Sequence, residues 1–309
     1  MSRAFVFPGQ GAQTIGMGRA LAEAYPAARA VFDEVDAALG EKLSALIWDG
    51  DIATLTLTRN AQPALMATSI AALRALEVEG IGLDHASFVA GHSLGEYSAL
   101  CAAGALGLSD TARLLRIRGQ AMQEAVPVGV GAMAALLGLD FEAAVAVAAE
   151  AAQGEVCQAA NDNDPGQVVV SGHKAAVERA LEIAKAKGAK RAILLPVSAP
   201  FHCVLMQPAA HVMAEALAAV VISKPAVPVV VNVRAEAVEE PDRIFDLLVA
   251  QVTGAVRWRE SVLWMERAGV TEFWEIGAGK ALSGMIRRTA EGAVTRAIST
   301  PEDVAAAKG

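Results

Sequence analysis

One serine, one histidine and one core-facing arginine are the residues of this 309-residue chain whose types and settings suit covalent chemistry. The segment Gly91-His92-Ser93-Leu94-Gly95 follows the apolar run Ala86-Ser87-Phe88-Val89-Ala90 and precedes a helical pattern at 96–103. A strand feeding a G-x-S-x-G turn forces its serine into a strained bend, lifts the hydroxyl clear of the sheet and aims the next helix N-terminus at it. Gly91 and Gly95 leave room for that bend, and the N–H of Leu94 becomes a donor for an oxyanion. Without a base, the same five residues are an ordinary strand-to-helix turn.

The histidines available as that base are His85, His92, His173, His202 and His211. His202 is preferred. It lies in Ser198-Ala199-Pro200-Phe201-His202-Cys203, just past an apolar strand pattern, and Pro200 keeps the preceding residue extended so that the histidine sits on a loop. His92 adjoins Ser93, but neighbours in a tight elbow point in different directions, which leaves it a packing or shaping role. A hydrolase triad would add a carboxylate between serine and histidine, yet Asp110 and Asp140 read as helix starts, and Asp162 and Asp164 lie in a turn expected at 161–166. A Ser/His dyad oriented by something other than a carboxylate is the remaining arrangement.

Arg118 bears on the substrate. On a helix expected at 111–125, Leu114, Leu115, Ala121, Met122 and Ala125 cluster around its direction, whereas Arg113, Arg116, Gln120 and Glu124 point away into solvent. A buried guanidinium needs an anion, and its planar fork suits a carboxylate, either of a substrate or of a buried Asp or Glu. Gln10 and Gln13 lie in the glycine-rich loop after the first strand, where Gln10 is placed to offer a second oxyanion N–H. That loop lacks the Lys-Ser/Thr of a P-loop, and Gly277-Ala278-Gly279-Lys280 lacks its spacing, so an NTPase is excluded.

The elements needed to position these residues alternate. A strand at 4–7, helices at 19–24, 27–39 and 62–79, and the strand before Ser93 predict a parallel sheet covered on both faces. From Gly131 the rhythm becomes β-α-β-β-α-β, with strands at 132–139, 156–160, 167–171 and 192–197 and helices at 141–152 and 174–187. That order is a ferredoxin-like unit inserted into the larger domain. A β run at 227–233, helices near 244–253 and 261–268 and a strand at 272–276 complete the core. The net charge of −8 argues against a general nucleic-acid binder. Cys101, Cys157 and Cys203 suit reduced thiols without metal-ligand spacing. The apolar stretch 125–139 is interrupted by Pro127 and three glycines and falls short of the ~20 residues needed to span a bilayer; no export signal is read either.

Gly9-Gln10-Gly11-Ala12-Gln13, Gly91-His92-Ser93-Leu94-Gly95-Glu96-Tyr97, Arg118-Gly119-Gln120-Ala121-Met122 and Ser198-Ala199-Pro200-Phe201-His202-Cys203 together closely resemble the malonyl-CoA:acyl carrier protein transacylases. The likeness runs nearly end to end, through Asn161-Asp162-Asn163-Asp164-Pro165-Gly166-Gln167-Val168-Val169, Pro228-Val229-Val230-Val231-Asn232-Val233 and Glu275-Ile276-Gly277-Ala278-Gly279-Lys280. It implies an α/β fold: a hydrolase-like parallel-sheet core of residues 1–127 and 197–309 with an inserted ferredoxin-like subdomain at 128–196. It also implies that Ser93 is the acylated nucleophile, His202 the base, Arg118 the ligand of the malonate carboxylate, and Gln10 with Leu94 the oxyanion donors. The main-chain carbonyl that orients the family's histidine maps to Gln251. Phe201 stands where related polyketide domains tend to carry Phe for malonyl and Ser for methylmalonyl selection. The implied partners are malonyl-CoA and an acyl carrier protein, with no cofactor, metal, nucleic acid or membrane, in a cytoplasmic monomer. With no synthase domain fused to it, the chain is expected to serve fatty-acid synthesis. Lys185, Lys187, Lys190 and Arg191 either steer an acidic carrier or form a solvated helix end. The competing readings are a serine thioesterase or esterase and a carrier-docking module with a vestigial site.

Overall fold

The computed structural model describes residues 2–197 and 199–308, so Ser198 of the histidine segment lies outside the described residues. Ten strands follow in chain order: β1 (Ser2–Phe7), β2 (Phe88–Gly91), β3 (Gly131–Leu137), β4 (Cys157–Asp164), β5 (Gln167–His173), β6 (Arg191–Leu194), β7 (Val229–Val231), β8 (Glu236–Val238), β9 (Val270–Ile276) and β10 (Val294–Ile298). They form two sheets. The six-stranded sheet has the order β10-β9-β1-β2-β7-β8 and is parallel except for β8, which returns beside β7. The four-stranded sheet, β4-β5-β3-β6, is antiparallel.

Burial on both faces explains the continuous apolar runs of the parallel strands. Phe5, Phe7 and Val89 pack on one side against Leu65, Ile70 and Leu73 of the long helix Thr58–Val78. Ala4, Val6, Ala90 and Phe273 of the other face share a core with Trp258 and Val262 of the helix Trp258–Arg267. In the small sheet, β3, the helix Phe141–Ala152, β4, β5, the helix Lys174–Ala186 and β6 follow one another, giving the β-α-β-β-α-β order. Their separate core is built of small residues such as Ala134, Ala144, Ala148, Ala176 and Ala180, which let helices lie close to strands. All three cysteines are buried free thiols. Among the described residues no helix is long and apolar enough to cross a membrane.

The turn expected at 161–166 is a strand as far as Asp164, and only Pro165 and Gly166 turn. Its polar residues read as loop, but all four from Asn161 to Asp164 are buried because the larger sheet's side of the molecule meets them. Asp162 takes the Arg259 Nε on both oxygens at 3.0 Å, and Asp164 takes Arg288 at 2.7 Å. The backbone continues the tie, since Asp162 N–H donates to Val256 O and Val256 N–H to Ala160 O. Bulges at 159/161 and 162/164 adjust the strand to this contact. The long helix begins at Thr58, ahead of the start expected at 62, and carries Pro63 inside it. Arg116, expected in solvent, is half-buried and bonded to Asn60 and Glu41.

The closest backbone approach lies under the serine. A Cβ at Gly91 would stand 1.9 Å from the carbonyl carbon and oxygen of Gly95, and one at Gly95 would stand 2.3 Å from Phe7 O. Gly91→Ala is therefore expected to lower the unfolding free energy by about 3 kcal/mol or more. Denaturant titration checks this, and a loss below about 1 kcal/mol would mean the two segments part easily.

Candidate active site

Ser93 stands between β2 and the helix Leu94–Ala102 with φ 54° and ψ −111°, a region that costs a residue with a side chain of order 1–3 kcal/mol. Asn232, just past β7, clamps the bend from both sides. It accepts the Ser93 N–H on Oδ1 at 2.8 Å and donates from Nδ2 to Gly91 O at 2.7 Å. The hydroxyl opens on a cavity of about 470 Å³ lined by strand residues of the small sheet, Met133 among them, and by loop and helix residues beside the larger sheet, including Gln10, Leu94, Arg118, Phe201 and His202. The Gln10 and Leu94 N–H groups have no acceptor among the described residues, and both residues line the cavity. Two such donors can meet an oxyanion formed beside Ser93.

His202 lies 2.7 Å from Ser93 Oγ through Nε2. Its own backbone has φ 58°, and it is buried. Nδ1–H donates to two main-chain carbonyls, Gln251 O at 3.0 Å and Gly254 O at 3.2 Å. Both acceptors demand a proton on Nδ1, so the Nε2 lone pair faces the serine hydroxyl. Among the described residues no carboxylate takes part. The resemblance had indicated Gln251 alone; Gly254 shares the same proton.

Arg118 is buried and touches neutral oxygens. Nη1 donates to Gln62 Oε1 at 2.9 Å, and Nη2 donates to Gln251 Oε1 at 2.8 Å and to Ser93 Oγ at 3.2 Å. Its guanidinium carbon lies 5.6 Å from the Tyr97 ring centre, and its buried Nε has no partner among the described residues. Of the two roles open for this arginine, the ion pair with a buried Asp or Glu is not formed among the described residues. Burial lowers its pKa. Burial first, and the Arg118 charge second, push His202 down to about 3. The dyad therefore rests with a neutral imidazole.

The structure brings Ser93, His202, Arg118, Gln10, Leu94 and Phe201 to one cavity, with Gln251 directly behind it. Gln62, Asn232 and the Gln251 side chain were not foreseen. Each is a buried polar residue in an apolar setting, a weak signal in sequence because such residues also cap and turn. His92 has its shaping place: Nε2 bonds to Asn163 Oδ1 of β4 at 2.8 Å, and the ring packs on Trp258. Lys185 and Lys187 are paired with Glu182 and Glu150, so the basic cluster is partly neutralised within its own lobe. No His/Cys/Asp/Glu group among the described residues suits a metal.

A strained serine elbow on a parallel sheet, with a histidine dyad and a buried arginine at one cavity, defines an acyl-transferring serine enzyme. The chain belongs to the acyl transferase domain family, whose model matches residues 4–302. It is 51% identical to the malonyl CoA-acyl carrier protein transacylase of Bacillus subtilis (strain 168) over 97% of this chain and 94% of that protein. The acyl-carrier-protein-S-malonyltransferase of Bartonella henselae matches with TM-score 0.97 and 55% identity, covering 99% of this chain and 98% of that one. A malonyl-transacylase solved in complex with its type II PKS acyl-carrier protein matches with TM-score 0.96 and 42% identity over 99% of each chain.

A base depressed to about 3 from its ordinary 6.5 stays neutral through mildly acid solution. Single-turnover acylation of Ser93 is accordingly expected to show no loss with a midpoint near 6.5 between pH 5 and 7.5. The stability consequence has a definite sign. Between about pH 6.5 and 3 the unfolded chain binds a proton that the folded one refuses, so this residue's contribution is lost as pH falls through that window. An acid limb centred near 6.5 would mean that His202 titrates as an open imidazole.

Proposed function

We propose that this protein moves the malonyl group from malonyl-CoA to the phosphopantetheine thiol of an acyl carrier protein through a malonyl ester on Ser93. The observation that carries the reading is Arg118, a buried cation 3.2 Å from the nucleophile whose bonded protein partners are neutral oxygens. An acyl group ending in a carboxylate brings the anion such a guanidinium favours. The names of the relatives, and the carrier complex of one of them, point the same way.

In the first half-reaction Ser93 Oγ attacks the thioester carbonyl carbon while His202 Nε2 takes its proton. The oxyanion meets the N–H groups of Gln10 and Leu94. The C–S bond then breaks, and the departing sulfur receives the proton from His202. In the second half the carrier thiol gives its proton to His202, its sulfur attacks the serine ester, and Ser93 leaves with that proton. The malonyl carboxylate offsets the Arg118 charge that depresses His202, so a carboxylate-bearing acyl group raises the basicity of its own catalyst. The division into a core of 1–127 and 197–309 and a lobe of 128–196 belongs to this proposal, as does a cytoplasmic monomer that engages no nucleic acid and serves fatty-acid synthesis. Phe201, buried beside the histidine, crowds any α-methyl group on the acyl chain.

Intact-mass measurement after brief exposure to malonyl-CoA or acetyl-CoA, without carrier, tests the reading. A malonyl adduct is expected on the wild type and none on Ser93→Ala, while Arg118→Ala loses about 10- to 100-fold of the malonyl preference. Steady release of CoA with no adduct would replace transfer by hydrolysis. Phe201→Ser is expected to admit methylmalonyl-CoA, and continued exclusion would show that another residue sets the gate.

A further inference from the structure

Glu96 is the charged residue of the otherwise uncharged helix Leu94–Ala102, and it is 1% exposed. Its Oε2 accepts the Asn232 N–H at 2.7 Å and the Gln251 Nε2 at 3.1 Å. The same Gln251 nitrogen donates to Ser93 O at 2.9 Å, and Gln251 Oε1 accepts from Arg118 Nη2 at 2.8 Å. One amide therefore stands between a buried carboxylate and a buried guanidinium. Its two ends are chemically distinct. Turned round, it would set its NH₂ against the arginine, donor against donor, and its oxygen against the carboxylate.

We propose that Glu96 is a positioning residue of the transfer reaction, an acceptor that fixes the Gln251 amide in the orientation that gives Arg118 an oxygen. The guanidinium is thereby held where it meets the free carboxylate of the acyl group. This inference rests on the transferase reading above. The carboxyl sits in the first helical turn, where the aligned backbone dipoles favour its charge, while burial pushes it up to about 7. Arg118 on the helix Leu108–Glu124 and Tyr97 on its own helix are the ionisable groups that face it. Ionised or protonated, the carboxyl keeps an oxygen for the Gln251 amide, so an amide in its place serves equally.

The test is the ratio of malonyl to acetyl acylation of Ser93 in the full chain, read by single-turnover mass spectrometry, with circular dichroism as the check on folding. Glu96→Gln is expected to keep the wild-type ratio within twofold. Glu96→Met, unbranched and without an acceptor, is expected to lower it tenfold or more. Gln251→Met, which retains the main-chain carbonyl for His202, is expected to lower it similarly, and the double variant no further. A purely structural role would reduce both rates together and leave the ratio intact. A folded Glu96→Met with the wild-type ratio overturns the proposal, and so does Glu96→Gln losing as much as Glu96→Met. If Glu96→Met fails to fold, an unchanged ratio in Gln251→Met overturns it, while loss there with retention in Glu96→Gln supports it. A wild type with no malonyl adduct on Ser93 overturns the transferase reading itself, and this one with it.

Discussion

The contact between Gly91 and Gly95 is the constraint on which the rest of the site depends. With backbone this close, the chain leaves β2 and enters the following helix within two residues, and Ser93 is driven into positive φ. The bend stays in place because Asn232 bonds to the backbone on both sides of it, and Asn232 is in turn held by Glu96 from the helix that the bend begins. Strain at the nucleophile is thus borne by a fixed ring of buried polar groups. That ring also carries Gln251, whose main chain orients His202 and whose side chain meets Arg118.

This sharing explains why the histidine is oriented by carbonyls. A carboxylate beside His202 would lie close to Arg118, and in a buried site opposite charges pair in preference to facing neutral groups. The arginine would then be spent on the protein's own anion. Main-chain oxygens set the imidazole tautomer without that competition, leaving Arg118 among neutral partners. Glu96, whose carboxyl is nearby, is separated from it by the Gln251 amide.

The cavity draws residues from the small sheet and from the loops and helices that flank the larger one, so the mutual placement of the two sheets shapes the site. β4 supplies that placement with a polar strand end whose aspartates are buried against Arg259 and Arg288 and whose Asn163 reaches His92 beside the nucleophile. Such pairs contribute modestly to net stability because desolvation offsets their attraction. Their directionality is what matters, since a two-pronged arginine accepts a carboxylate in few orientations.

Much of the site was legible in local chemistry. A serine between two glycines after an apolar run, a histidine held on a loop by a proline and an arginine on the apolar face of a helix each announce themselves, because the constraint acts within a few residues. The β-α-β-β-α-β order of the small lobe was legible for the same reason, as periodicity and turn residues are local. What the sequence could not decide is where polar residues find partners far along the chain. Asn161 to Asp164 read as a loop until Arg259, Arg288 and Val256, roughly a hundred residues away, bury them as a strand. Arg118 was open to an internal carboxylate or a ligand until folding surrounded it with Gln62 and Gln251. Glu96 carried no signal beyond its place in a helix until Asn232 and Gln251 arrived from other elements. Residue types determine which groups can react or pair; only the tertiary structure decides which of them are left facing the cavity, because burial gives each polar atom its partner across the whole chain.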